Sequence, residues 1–188
     1  MKYLGKYRNE PNRLEFWNYS NPGKYYITIC TQNRKKIFGQ IENKKMVLSE
    51  YGDIVRSTLL KMPQYHKRVI VDESIIMPDH IHLLIELGNW DYDNGMSMIG
   101  DTVGKIHEFS LRKSNPTINE LKIYRAERRR MIIPKILGKF QMLTSKQINI
   151  LRNTPGTRNW QHDYYDHVIR NYDSYIEIKQ YIIDNPKN

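Results

Sequence analysis

The most regular hydrophobic pattern in the chain lies in residues 80–87, where apolar side chains occupy every odd-numbered position. Side chains alternate across a β-strand with a period of two, so these Ile and Leu residues share one face. The opposite face carries His80, His82, Leu84 and Glu86. The pattern therefore predicts a strand that buries one face in a core and presents two imidazoles on the other.

Similar periodicities predict the elements around this strand. β-branched and aromatic residues favour strands, and apolar residues at helical spacing favour helices. The two-residue link Pro78-Asp79 makes the strands on either side of it antiparallel neighbours. The predicted elements are strands over 24–31, 68–77 and 80–87, a hairpin over 37–48, and helices over 49–62, 136–151 and about 173–184.

Length and charge narrow the class of protein. The 188 residues suit one domain, which we expect over 24–188 after an irregular lead-in over 1–23. Lys and Arg outnumber Asp and Glu by 30 to 20, and a net charge of +10 indicates a polyanionic partner. The basic residues form no strongly basic amphipathic helix, so nucleic acid is favoured over a membrane surface. A charge that serves only solubility is the less favoured alternative.

Cellular location is predicted from what the sequence lacks. No apolar run approaches the roughly 20 residues of a membrane span, and the first residues lack the apolar stretch of a secretory signal. Cys30 has no second cysteine to pair with and is expected to be a buried, reduced thiol. Together these features predict a cytoplasmic protein.

Two sets of polar residues suggest chemistry. Neutral imidazoles side by side, as His80 and His82 would be, form part of a site for a divalent metal, although paired surface histidines are the commoner explanation of such a motif. On a helical wheel of the last helix, one apolar arc contains Tyr175, Ile176, Ile178, Ile182 and Ile183. Tyr181 falls outside this arc, and Asn185 lies one turn further along. Taken alone, Tyr181 would be an exposed or half-packed tyrosine.

Four segments together resemble the HUH single-tyrosine (IS200-like) transposases, most closely the REP-associated tyrosine transposase branch. They combine Met-Pro-Asp-His-x-His with a downstream Tyr-Tyr-Asp-His-x-Ile-Arg-Asn and a terminal Tyr-x-x-x-Asn-Pro. Residues from about 89 to 135 depart from the compact form of that family and are predicted to be an insertion. The matching segments are 25–38, 73–86, 138–148 and 160–187.

The resemblance implies a fold and a reaction. The fold would be α+β, a ferredoxin-like antiparallel sheet with helices packed on one face. His80, His82 and Asn185 would bind Mg²⁺ or Mn²⁺, and Tyr181 would be the catalytic nucleophile. Attack by Tyr181 on DNA would leave a 5′-phosphotyrosine link and a free 3′-OH. The chain would then act as a transposase in DNA recombination, as a monomer or a homodimer.

The implied partner is single-stranded DNA that carries a hairpin. Basic side chains would neutralise phosphates and aromatic ones could stack on bases, although packing against the sheet is an alternative for the aromatics. The basic run 125–130 is either a solvated face or a DNA contact. Two other functions stay open, a hairpin-binding protein that does not cleave and a hydrolytic metal nuclease. The predicted DNA contacts are Lys139, Lys146, Arg152, Arg170, Tyr164, Tyr165 and Trp160.

Overall fold

A computed structural model describes residue 14 and residues 17–89 and 117–187. The predicted helices and strands in these ranges are present, with ends that differ by a few residues. The 3₁₀ turns lie at Gln32–Arg34, Met62–Tyr65 and Asn185–Lys187. The strands are β1 (Gly23–Cys30), β2 (Gly39–Glu42), β3 (Lys45–Leu48), β4 (Val69–Met77), β5 (His80–Leu87) and β6 (Tyr165–Ile169), and the helices are α1 (Glu50–Leu60), α2 (Ile118–Arg128), α3 (Ile132–Leu151) and α4 (Tyr172–Asp184).

Four of these strands form one sheet in the order β4-β5-β1-β6, and every neighbouring pair is antiparallel. Strands β2 and β3 form a separate hairpin, as predicted for 37–48. Along the chain the main sheet reads β1-α1-β4-β5-α3-β6, which is the ferredoxin-like succession. The predicted α+β class with an antiparallel sheet is confirmed.

Helices cover both faces of the sheet. The larger core lies on one face, where α1 and α3 pack against Ile27, Leu83 and Ile85. On the other face, α4 packs against Tyr26 and Leu84 through a smaller apolar cluster. The expectation that the helices share one face therefore holds for α1 and α3, and α4 lies opposite them. This second face carries two imidazoles beside its apolar residues, and α4 packs on the apolar part.

The predicted lead-in and insertion lie partly outside the described residues, namely over 1–13, 15–16 and 90–116. The described end of the lead-in is irregular, but Trp17 and Tyr19 are buried in the larger core. In the insertion, 117–128 forms α2 with its N-terminal cap. Thr117 accepts a hydrogen bond from the backbone N–H of Glu120, and the Glu120 carboxylate accepts from the Thr117 N–H in return.

Arg128, within the basic run 125–130, faces the interior. Its Nη2 donates to Asp166 Oδ1 at 3.1 Å, and the Asp166 side chain is fully buried. The guanidinium also lies 4.8 Å from the ring centroid of Tyr19 and 5.6 Å from that of Tyr164. Arg128 is therefore a structural cation, and the exposed arginines of the run are Arg125, Arg129 and Arg130.

Candidate active site

His80 and His82 point from β5 towards the face that α4 covers, as the alternation predicts. Their Nε2 atoms lie 3.1 Å apart. Both side chains are buried, and His82 has no exposed surface. For a metal–nitrogen bond of about 2.1 Å, two ligands at right or tetrahedral angles lie about 3.0–3.4 Å apart. The separation of the two nitrogens therefore fits binding of one metal ion by both imidazoles.

The remaining ring nitrogens are held by neighbouring side chains. His80 Nδ1 lies 2.5 Å from the Asp79 carboxylate, an arrangement that fixes its proton on Nδ1 and leaves Nε2 as an acceptor. His82 Nδ1 lies 2.8 Å from both the Tyr26 hydroxyl and Thr28 Oγ1. Hydroxyl groups donate or accept, so His82 can adopt either tautomer. These contacts orient both rings.

Burial keeps the pair neutral, the form that binds metals. Burial lowers the pKa of His80, and the neighbouring Asp79 carboxylate only partly opposes this effect. Burial lowers the pKa of His82 well below its usual value, and the charge that His80 would carry adds to that shift. Both imidazoles therefore keep their lone pairs available at neutral pH.

A complete metal site needs more than these two nitrogens. No group of three or more His, Cys, Asp or Glu side chains that could hold a metal ion occurs among residue 14 and residues 17–89 and 117–187. Among these described residues, an ion on the histidine pair would take its further ligands from amide, hydroxyl, carbonyl, water or substrate oxygens. Such an ion would keep open positions, which would suit catalysis better than a purely structural role.

Tyr181 on α4 reaches the histidine pair. Its ring centroid lies 5.5 Å from that of His82 and 6.5 Å from that of Tyr26, in edge-on arrangements. The side chain is half-buried. The face of α4 that contacts the sheet thus includes Tyr181, whereas Ile176 and Ile183, which the wheel placed towards the core, are each 44% exposed.

Asn185 directly follows α4 and has helical backbone angles of φ −53° and ψ −40°. Its N–H donates to the Ile182 carbonyl. Because helical residues four apart lie one above the other, Asn185 lies one turn beyond Tyr181 on the same side of the helix. The side chain is half-buried.

Two predicted DNA contacts lie on α3, which packs on the opposite face of the sheet, and a third directly follows it. Lys139 and Lys146 are exposed, and Lys139 Nζ lies 4.3 Å from the centroid of the Tyr65 ring. Arg152 follows the helix and donates to Asn149 Oδ1 at 2.9 Å. The structure therefore does not bring these cations together with Tyr181.

The other predicted DNA contacts divide between the two faces. Trp160 belongs to the larger core, where it is 4% exposed and its Nε1 donates to Thr144 Oγ1. Its buried indole is therefore not available to stack on a base. Tyr164 packs against the same core, but Tyr165 pairs with Thr28 and lies on the face of the histidine pair. Arg170, after β6, is exposed.

Sequence reasoning missed four residues around the pair. Asp79 could have been found, because a carboxylate directly before the first histidine is a common orienting group for a ligand. Tyr26, Thr28 and Arg34 lie about 50 residues away in sequence and approach the site through the pairing of β1 with β5 and the turn after β1. The register between β1 and β5 cannot be read from the pattern of residues within either strand.

The fold and site together define a ferredoxin-like α+β domain with a buried histidine pair and a tyrosine beside it. A protein of Haemophilus influenzae described as uncharacterized is 30% identical over 175 residues, which cover 93% of this chain and 86% of that protein. The chain belongs to the same family as that protein. No family model matches the chain.

Among solved structures, the chain is similar to a REP-associated tyrosine transposase bound to a REP hairpin. The TM-score is 0.47 and the sequence identity is 14%, over 97% of this chain and 72% of that one. No helix in the described residues is long and apolar enough to cross a membrane.

Proposed function

We propose that this protein is a metal-dependent endonuclease and strand transferase for single-stranded DNA, of the transposase type, with Tyr181 as its nucleophile. The observation that supports this most directly is the approach of the Tyr181 ring to His82, beside two Nε2 atoms 3.1 Å apart. A tyrosine beside a buried pair of imidazoles that could bind a metal ion supplies the groups required for metal-assisted transfer of a phosphodiester.

His80, His82 and Asn185 would hold Mg²⁺ or Mn²⁺, and the DNA phosphate would complete the coordination. Two imidazoles and an amide supply no carboxylate, so the affinity for Mg²⁺ without DNA would be weak and Mn²⁺ would be favoured. The bound ion would neutralise charge on the phosphate and orient it. Asp79, Tyr26 and Thr28 would keep the two rings in place.

The reaction exchanges one phosphoester for another. Tyr181 Oη forms a bond to phosphorus while the bond from phosphorus to the 3′ oxygen breaks. The tyrosine loses its proton and the leaving 3′ oxygen gains one, so the products are a 5′-phosphotyrosine link and a free 3′-OH. The reverse reaction with another 3′-OH would rejoin strands without an energy source.

The substrate that we propose is single-stranded DNA with a hairpin. The net charge of +10 supports a polyanionic partner. Tyr165, which is half-buried on the face of the histidine pair, would contact a base near the scissile phosphate. The hairpin itself is inferred from the sequence resemblance to REP-associated transposases.

Replacing Tyr181 with Phe should abolish the covalent protein–DNA adduct, because the ring stays but the attacking oxygen is lost. Hairpin oligonucleotides from the DNA that flanks the gene, labelled at the 3′ end, would be incubated with Mn²⁺ or Mg²⁺. Labelled protein would be detected on a denaturing gel. Tyr172→Phe is a matched control, because Tyr172 lies on the same helix but is 71% exposed.

Three outcomes separate the candidate functions. A metal-dependent adduct that persists in Tyr172→Phe and disappears in Tyr181→Phe supports the strand transferase. Cleavage that survives Tyr181→Phe would instead identify a hydrolytic nuclease. Hairpin binding without cleavage in either metal would identify a binding protein and reject the proposal.

A further inference from the structure

Lys179 on α4 forms an ion pair with Asp72 on β4, the edge strand of the main sheet. Its Nζ donates to Asp72 Oδ1 at 2.8 Å and to the hydroxyl of Tyr175, one turn earlier on the same helix, at 3.3 Å. The Lys179 and Asp72 side chains are only 31% and 18% exposed. Burial raises the pKa of the Asp72 carboxyl, but hydrogen bonds from Lys179 and Tyr175 outweigh it and hold this pKa below its usual value. The contact therefore stabilises α4 in its place on the sheet.

Asp72 lies in a bulge of β4. Val71 pairs with Ile85 and Glu73 pairs with Leu84, so Asp72 is an extra residue between two consecutive partners on β5. Bulges of this kind change the direction of a side chain and are common next to active sites. The contact with α4 shows that the Asp72 carboxylate is directed towards the helix that carries the proposed nucleophile.

The ion pair and Tyr181 lie on opposite sides of α4. The part of the helix that faces the sheet is centred on the buried Ile178 and Ile182. At 100° per residue, Lys179 lies about 80° from the midpoint of these two residues in one direction, and Tyr181 lies about 80° from it in the other. A rotation of α4 that breaks the ion pair would therefore also move Tyr181 relative to the histidine pair.

The apolar contact beneath α4 is smaller than the core on the other face of the sheet. Its buried side chains, among the described residues, are those of Tyr26, Leu84, Ile169, Ile178 and Ile182. Apolar packing has no preferred direction, whereas a hydrogen bond between charged groups has a preferred distance and angle. The ion pair therefore restricts the rotation of α4 about its axis more strictly than the apolar contact does.

We propose that Asp72 and Lys179 are positioning residues that hold the Tyr181 side chain at the histidine pair, a role that rests on the proposed function. A nucleophile that is already aligned with the phosphate reacts without a further cost of ordering it. A displacement of about 1 Å can lower the rate about 100-fold. The ion pair would thus affect the rate of attack by Tyr181 although it lies on the other side of the helix.

Lys179→Met tests this role, because it keeps the length of the side chain and removes both the charge and the donor. With saturating DNA and Mn²⁺, at a temperature where circular dichroism shows every variant to be folded, single-turnover adduct formation should slow about 10- to 100-fold. Asp72→Asn should also slow it, and the double variant should be little slower than Lys179→Met, because both substitutions remove one contact. Arg56→Met is the control, since it breaks an ion pair of 2.7 Å with Asp53 on α1. It should react like wild type.

A second measurement follows the position of Tyr181 without DNA or metal. Fluorotyrosine incorporated at Tyr181 would report on the neighbouring ring of His82, which lies 5.5 Å away between centroids. Fluorine NMR should give one sharp resonance in the otherwise wild-type protein. In Lys179→Met the resonance should shift or broaden, and in Arg56→Met it should be unchanged.

Three outcomes would overturn the positioning role. The first is a rate for Lys179→Met equal to that of Arg56→Met. The second is a slow reaction with an unchanged fluorine spectrum, which would mean that Lys179 acts on DNA directly. The third is a variant that does not fold, which would assign the ion pair to the stability of the whole domain. If wild type forms no adduct, the proposed function itself fails, and the fluorine spectra still decide whether the ion pair positions Tyr181.

Discussion

His82 is a histidine that the folded protein keeps neutral. Its imidazole has no exposed surface, and burial lowers its pKa well below the usual value of 6.5. In the unfolded chain the same imidazole gains a proton as the pH falls below about 6.5. The unfolded state then binds more protons than the folded state, so the free energy of unfolding decreases as the pH decreases.

This difference predicts a pH dependence of stability in the metal-free protein. With a chelator present, the melting temperature should be constant above about pH 7 and should fall between about pH 6.5 and 5. His82→Gln should show a smaller fall over that range. His162→Gln is the control, since that side chain is 78% exposed and should leave the wild-type curve unchanged. Parallel curves for wild type and His82→Gln would contradict the prediction.

At the scale of the elements, α1 is fixed to the β2–β3 hairpin through Gly52. A Cβ at this position would lie 2.2 Å from the Phe38 carbonyl oxygen and 2.9 Å from Leu48 Cδ2. The approach is close because Ser49 caps the helix and its Oγ donates to the Ile37 carbonyl at 2.6 Å. Glycine is therefore required in this helix for reasons of packing.

The same substitution at two helical glycines should consequently have opposite effects. Gly52→Ala should lower the free energy of unfolding by roughly 1–3 kcal/mol, because the chain must move to accommodate the methyl group. Gly138→Ala on α3 meets nothing within 4 Å and should raise it by about 1 kcal/mol through helix propensity. Urea unfolding measures both changes. Equal effects of the two substitutions on the free energy of unfolding would show that Gly52 is not required for packing.

At the scale of the whole molecule, the candidate site and a row of three exposed lysines on α3 lie on different faces of the sheet. Helix α3 contains Lys135, Lys139 and Lys146 and no acidic residue. At 100° per residue these three lie within about 40° of the helix circumference and form a lysine stripe on its exposed side. Such a stripe suits contacts with a DNA backbone that do not involve the scissile phosphate.

Replacing the three residues of the lysine stripe with Gln should weaken hairpin binding and reduce its salt dependence. The slope of log K against log salt should decrease by roughly 0.9 for each phosphate that the variant no longer neutralises. Cleavage of DNA at saturation should be unchanged, because α3 is across the sheet from Tyr181. Gln at Arg125, Arg129 and Arg130, which are exposed on and after α2, removes the same charge elsewhere. If that variant has the larger effect, the DNA lies along α2 and not along α3.

The strand of the site could be predicted from sequence, but its surroundings could not. Alternation with a period of two is a local property, so the faces of His80 and Ile81 followed from the residues themselves. The orientation of α4 depends instead on the side chains of the sheet that it contacts. Tyr181 packs against the aromatic and imidazole rings of the sheet, while Ile183 stays 44% exposed. Thr28 reaches His82 through strand pairing, which no pattern within one segment specifies.

The ion pair of Arg128 and Asp166 has a consequence for the evolution of this family. Helix α2 belongs to the segment predicted to be an insertion, yet it supplies the cation for a carboxylate with no exposed surface. A buried charge without its counter-ion is strongly destabilising. A homologue that keeps Asp166 without this segment should therefore supply the counter-ion from another element, and the position of that cation should change along the lineage whenever the segment is gained or lost.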